Sequence, residues 1–363
     1  MLDNMVRLYY GKIIFRIRKY IEKYFNSIVL SLILAYERNE AHYRRRKVVE
    51  KNGVKVINQQ IKKSIKEYAK TRFGSEAYWP FLALYTEIRG EFIKGWLPYD
   101  YYRFVLLPKI NPKPSLYISD QKTFDYRLFG DFAVKPLFLF ISGILFNEKL
   151  EVVENERIKR FLSDYDNIIV VKEEGGLGGK QVRIIHSSKF IPEELNRGKN
   201  YVIQPYVKQL KVLNDLYPHS VNTFKVNTFL RKDGSVSVKY IWLRFGADGS
   251  KVDNLSTGGS YLFFNNNGEP EEFVYDWKLG FKIGDRHKNT GFLFSNVKIP
   301  NFQEMLEKCK NSHKKYPYVK LIGWDVCIDI SGEPKLIEWN TSNPDFFSQE
   351  ARFGPFWFDD NEY

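Results

Sequence analysis

The stretch Gly323-Trp324-Asp325-Val326-Cys327-Ile328-Asp329, followed by Leu336-Ile337-Glu338-Trp339-Asn340, decides how this chain is read. Each half is a short apolar run broken by a single acid, and Ser331-Gly332-Glu333-Pro334 between them is a strong turn signal. Two antiparallel strands joined there hold Asp325, Glu338 and Asn340 close together on one face, because side chains two apart along a strand share a face. Three oxygen donors on a rigid sheet suit Mg²⁺, which takes carboxylates together with substrate phosphates. The competing reading is a pair of half-buried strands whose acids simply face solvent.

A second stretch turns the metal site toward a nucleotide. Asn167-Ile168-Ile169-Val170-Val171-Lys172 reads as a buried strand ending in a lysine, and Val182 to Ile185 reads as another strand. The turn between them carries Gly175, Gly176, Gly178 and Gly179. Such a turn lets backbone N–H groups close over phosphates without side-chain obstruction, with Lys172 as a point charge on the same phosphates. It is not a Walker A loop, because G-x-x-x-x-G-K-[ST] is absent, and no helix follows as a dinucleotide fingerprint requires. Taken alone, the same glycines fit a flexible surface turn equally well.

In sum, the arrangement resembles the ATP-grasp superfamily, and within it the sugar-transfer-associated ATP-grasp proteins of polysaccharide biosynthesis, over roughly residues 115 to 350. Asp120-Gln121-Lys122-Thr123-Phe124 resembles the start of the family's "D-K" element. Lys172 and the glycine turn resemble the strand and flap over the triphosphate, and Tyr201-Val202-Ile203-Gln204-Pro205-Tyr206-Val207 resembles the hinge that receives adenine. Ser220 to Val226, Leu243-Arg244-Phe245-Gly246, Val252-Asp253-Asn254 and Gly258-Gly259 are similar to its middle signature. Two departures stand out. The family usually has arginine where Lys225 stands, which replaces a bidentate clamp by a point charge. A glutamate is common in the hinge near Gln204-Pro205.

The resemblance implies an α+β protein with the ATP-grasp fold, two α+β subdomains gripping ATP, preceded by a basic helical N-terminal region. It implies ATP contacts from Lys122, Lys172, Gly175, Gly176, Gly178, Gly179, Gln204, Pro205, Tyr206 and Val207. Two Mg²⁺ would lie on Asp325, Glu338 and Asn340, with Lys225, Arg244 and Asn254 at the reacting groups. The implied activity is a carboxylate-amine ligase that forms an acylphosphate and releases ADP, acting on a small-molecule or lipid-linked sugar acid, such as a hexuronic acid, in capsule or other surface polysaccharide synthesis. The alternative is a sugar phosphotransferase or a catalytically silent nucleotide-binding partner of a glycosyltransferase complex. Asp325→Asn or Glu338→Gln is expected to abolish Mg²⁺-dependent ATP turnover and to leave the fold intact.

Composition agrees with a large, folded, aromatic-rich protein. The chain has 363 residues, 44% hydrophobic and 17% aromatic, enough for more than one domain. Its two cysteines, Cys309 and Cys327, lack metal-ligand spacing and read as buried apolar groups in a reducing, cytoplasmic protein. The five histidines include no H-E-x-x-H, and there is no G-x-S-x-G, so a zinc protease and a serine hydrolase are unsupported.

The net charge of +13 is unevenly placed, since residues 1–70 carry 17 Lys or Arg against 6 Asp or Glu and so hold +11 of it. That region reads as helical. It fits a packing element with a solvated basic face or a peripheral contact with the inner face of an anionic membrane, and nucleic acid is not an expected partner. Prolines at Pro98 and from Pro108 to Pro114 read as a connector that breaks helix. The expected organisation is a basic helical region over 1–95, a connector and first part of the ATP-grasp body over 96–165, a glycine-flap subdomain and hinge over 166–207, and a catalytic subdomain over 208–363.

Overall fold

The computed structural model describes residues 28–175, 181–253, 258–344 and 347–357. It divides between Tyr102 and Arg103 into two units. The first is helical: α1 (residues 28–52), α2 (Gln59–Phe73), α3 (Trp79–Arg89) and the short α4 (Tyr99–Tyr101). Asn58 caps α2 by accepting from the Ile61 N–H, and the helix stops at Gly74, whose φ of 78° only glycine takes readily. Helix α3 is buried from Pro80 to Ile88. Its buried acid Glu87 is answered by Arg45, and buried Asp100 by Arg38.

The proline segment carries helical turns rather than breaking helix. After α4 come a π turn, Tyr102–Leu106, and α5, Leu107–Ile110. Pro98 stands at the N-cap of α4 and Pro108 in the first turn of α5. In those places a helix needs no N–H from the proline, so the breaker residues start helical turns instead of ending them.

The second unit is α+β. After α6 (Asp125–Phe129), the smaller sheet takes β1 (Phe138–Ile141), β2 (Ile144–Phe146), β3 (Ile168–Glu173), β4 (Val182–His186) and β5 (Tyr201–Pro205) in the order β2-β1-β5-β3-β4. Helix α7 (Asn155–Tyr165) covers one face of it with Ile158 and Leu162, one turn apart. After α8 (Lys211–Leu216), the larger sheet takes β6 (Thr223–Leu230), β7 (Val236–Phe245) and β8 (Ser260–Phe264), then β11 (Leu321–Ile328) and β12 (Pro334–Asn340). Its order is β12-β11-β6-β7-β8, and every pairing in both sheets is antiparallel. A two-stranded ribbon, β9 (Val274–Tyr275) and β10 (Lys282–Gly284), α9 (Phe302–Lys315) and α10 (Phe347–Phe353) complete it.

Alternation along the strands assigns each face. On one face of the larger sheet Val326, Phe224, Leu243 and Leu262 lie opposite one another, as do Trp324, Val226, Ile241 and Phe264. All belong to one core with Phe302, Met305, Leu306 and Cys309 of α9. Trp324 and Trp339 stack there at 5.9 Å, and Phe129 of α6 meets both rings edge-on. The smaller sheet likewise turns Ile169 and Val171 to its own core. What remains on the opposite faces of the two sheets forms the site.

Candidate active site

A cavity of about 300 Å³ is lined by both sheets. From the smaller sheet come Val170 and Lys172 of β3, Val182 and Ile184 of β4, and Gln204 of β5. These positions are direct cross-strand partners or lie two apart, so one sheet face carries them all. The larger sheet contributes Thr223, Arg244, Asp325, Glu338 and Asn340, and Lys122 enters from the 3-10 turn before α6.

Register explains the polar cluster. Asp325 lies opposite Glu338 on β12 and opposite Lys225 on β6, while Thr223 lies opposite Arg244 on β7. Lys225 Nζ sits 2.5 Å from Asp325 Oδ1 as a close ion pair, and Arg244 Nη2 donates to Asp325 Oδ2 at 3.0 Å. Arg244 Nε and Nη2 also donate to the Thr223 hydroxyl, which in turn donates to Asp253 Oδ2. Gly323 makes room for this. A Cβ there would lie 3.1 Å from Asn227 Oδ1 and 3.5 Å from Lys225 Cδ, along the stem that delivers the ammonium to Asp325.

Burial and charge then compete. Burial alone pushes the Asp325 carboxyl up, but Arg244 and Lys225 outweigh it and hold the group below its ordinary value. Burial also disfavours the Arg244 charge, yet Asp253, Asp325 and Glu338 more than offset that, so the guanidinium stays charged. Asp253 goes the other way, raised by burial despite Arg244. Lys172 is lowered by burial, with Glu338 and Asp125 opposing the shift.

A β-bulge sits at the centre of the site. Asp325 pairs with Glu338 but Val326 pairs with Leu336, leaving Ile337 as the extra residue on β12. Its carbonyl accepts from Lys172 Nζ at 3.1 Å, which ties the smaller sheet's lysine to the larger sheet's strand. The bulge also changes the strand's parity, with Leu336 and Trp339 in the core and Glu338 and Asn340 lining the cavity.

Most of the residues singled out in the sequence thus meet at one cavity. Lys225 reaches it through its pair with Asp325. Pro205, Tyr206 and Val207 line the cavity, but the Gln204 amide is turned to the Val134 carbonyl at 3.0 Å. Gly175 N–H points to the Asp120 carbonyl at 3.4 Å. Gly176, Gly178, Gly179 and Asn254 lie outside the described residues.

Residues that sequence reasoning missed hold the site together. Glu174 Oε1 accepts from the Thr123 N–H at 3.0 Å and from its hydroxyl at 2.5 Å, and Oε2 accepts from Asn200 Nδ2 at 2.8 Å. This clamps the turn that carries Lys122 to the end of β3. Asp125 lies behind the site, accepting from Trp339 Nε1 at 2.9 Å, and burial pushes its carboxyl up to about 7. Thr223 and Asp253, which the sequence offered only as members of the middle signature, gain their roles through contacts made across the sheet. A glutamate two residues after the strand-ending lysine was the one available signal.

The donor set fits a hard cation. Asp325 is buried, with Lys225 Nζ 2.5 Å from its Oδ1. Glu338 is 36% exposed, with Lys122 Nζ 3.7 Å from its carboxylate. Asn340 lies two residues further along the same strand face. Two carboxylates and a carboxamide are oxygen ligands of the kind Mg²⁺ takes, although Asp325 already faces two cations of the chain.

The family model for sugar-transfer associated ATP-grasp proteins matches residues 105–351. The chain belongs to that family. No curated protein matches its sequence. Among solved structures the chain is similar to the ATP-grasp ligase PsnB complexed with minimal precursor, at 13% identity and a TM-score of 0.38, over 69% of this chain and 60% of that one. It is also similar to an ADP complex of N5-carboxyaminoimidazole ribonucleotide synthetase, at 9% identity and a TM-score of 0.36, over 62% and 44%. A third is D-alanyl-alanine synthetase A from Vibrio cholerae, at 11% identity and a TM-score of 0.36, over 70% and 62%. The chain therefore spans less than two thirds of each of these ATP-grasp relatives.

Proposed function

We propose that this protein is an ATP-dependent ligase that activates a carboxylate as an acylphosphate and joins it to an amine. The observation that supports it is convergence: Lys122 and Lys172 meet Arg244, Asp325, Glu338 and Asn340 of the other sheet around one cavity. Val134, Val170 and Ile184 offer a slot for a flat base, with residues 204–207 along its edge. Beyond it, Lys122 and Lys172 meet the phosphates as point charges. Asp325, Glu338 and Asn340 are the residues to hold two Mg²⁺, which when bound would neutralise triphosphate oxygens.

A substrate carboxylate oxygen then bonds to the γ-phosphorus as the bond to the ADP oxygen breaks. The amine forms a C–N bond at the acyl carbon, phosphate leaves with the former C–O bond, and one proton is released. Arg244 and Lys225 face the negative charge that builds on the transferred phosphoryl group, and their work is positioning and charge neutralisation. Asn254 is assigned to orienting the acceptor. The family's association with sugar transfer supports a sugar acid, such as a hexuronic acid in surface polysaccharide synthesis, as the carboxylate.

The test is product release with candidate sugar acids, with and without amines. ADP and phosphate should appear only when the acid is present, and hydroxylamine should trap a hydroxamate. A stable phosphorylated sugar formed without any amine supports a phosphotransferase instead. AMP as the product, or no nucleotide turnover with any acid, overturns the ligase reading.

A further inference from the structure

The first nine described residues of α1, Ile28 to Tyr36, contain no charge, and their only polar side-chain groups are the hydroxyls of Ser31 and Tyr36. A helix that packs on a core hides one stripe, but here the exposure runs around the helix. Ile28 is 45% exposed, Leu32 67%, Ile33 40% and Tyr36 69%, and Val29 and Leu30 are exposed as well. Successive positions 28, 29 and 30 point about 100° apart on a helix of 3.6 residues per turn, so no single neighbouring element could cover them. An all-round apolar helix belongs in a protein core or in lipid. Exposed apolar side chains gathered in this way mark an interaction surface.

Charge decides between partners. The rest of α1, residues 37–52, carries Arg38, Arg44, Arg45, Arg46, Lys47 and Lys51 against Glu37, Glu40 and Glu50, and it stays net positive after Arg38 and Arg45 are matched to buried Asp100 and Glu87. The 27 residues before it hold six Lys or Arg against two acids. The uncharged stretch is thus flanked on both sides by net positive chain, which repels a second copy of itself and attracts an anionic surface. Its length, nine residues at 1.5 Å each, is about 13 Å, far short of a bilayer core. Among the described residues no helix is long and apolar enough to cross a membrane.

We infer that residues 28–36 of α1 dock the protein on an anionic lipid surface, seating apolar side chains among the acyl chains, with the net positive charge of the adjoining sequence drawing them to the headgroups. The experiment is flotation of the full chain with vesicles of phosphatidylcholine alone and of phosphatidylcholine with phosphatidylglycerol, at low and at high salt. The expected result is binding to the anionic vesicles at least tenfold above the neutral ones, weakened by salt. Leu32→Asp combined with Ile33→Asp should lower that binding at least tenfold. Both side chains are exposed, so the melting temperature should hold.

No flotation at low salt overturns the inference. Equal flotation of the double variant overturns the apolar contact and leaves charge alone. A wild-type dimer in sedimentation that becomes a monomer in the double variant, with no vesicle binding, assigns the surface to a second copy instead.

Discussion

Replacing Asp325 by asparagine should unfold this protein more readily, not merely inactivate it. Its side chain is 5% exposed and faces Lys225, 9% exposed, and Arg244, 22% exposed. Removing the carboxylate charge leaves two buried cations side by side. Breaking a buried ion pair by losing one partner costs about 3–5 kcal/mol, and the lower end applies because Arg244 keeps Asp253 as a second acid. About 3 kcal/mol corresponds to a fall in melting temperature of roughly 6–12 °C for a domain of this size. Glu338→Gln is the contrast. That side chain is 36% exposed with its cation 3.7 Å away, so the change should cost under about 1 kcal/mol while removing the same Mg²⁺-dependent turnover. Urea or thermal unfolding of both variants separates the two. Equal melting of Asp325→Asn and wild type would refute the account of Asp325 as the hub of a buried charge cluster. For Asp325→Asn this departs from the sequence-based expectation that both substitutions leave the fold intact.

Two buried titrating groups should oppose each other in the pH dependence of stability. His313 is held neutral with a pKa lowered to about 4, its ring spanning the Thr228 hydroxyl and the Val319 carbonyl, so stability should fall by about 3 kcal/mol as pH drops from 6.5 to 4. Asp125, raised to about 7, contributes stability below its unfolded pKa that is lost as pH rises through 7, about 4 kcal/mol in all. Asp125→Asn should therefore steepen the acid fall and raise stability at pH 8, and parallel unfolding curves for the two proteins across pH 4–8 would contradict this. Glu174→Ala should weaken ADP binding about tenfold in calorimetric titration by freeing the turn that carries Lys122, since charged hydrogen bonds are worth about 1.5–3 kcal/mol. Glu174→Gln, which keeps an oxygen for Thr123, should recover most of that, and no recovery would point to a charge effect instead.

The parts of the site that follow local rules were legible in the sequence. Gly323-Trp324-Asp325 and Glu338-Trp339-Asn340 announce strands because apolar residues alternate with single acids around a Ser-Gly-Glu-Pro turn. The α9 helix is equally plain, since Phe302, Met305, Leu306 and Cys309 fall on one stripe. Proline misled because its effect depends on where in a helical turn it falls, and Pro108 falls where no N–H is required. The Glu174 clamp was beyond reach because its partners, Thr123 and Asn200, are 51 and 26 residues away. Asp125 could not be recognised either, for its indole partner lies 214 residues on.

Strand β12 behaves like a message with a shifted reading frame. Before Ile337 one set of positions faces the core, and after it the other set does, so the acid at 338 reaches the cavity by count rather than by composition. The property resides in the number of backbone units between Pro334 and Asn340. Point substitutions at Ile337 leave its carbonyl in place for Lys172, whereas gaining or losing one residue there would exchange the tryptophan for its acidic and amide neighbours.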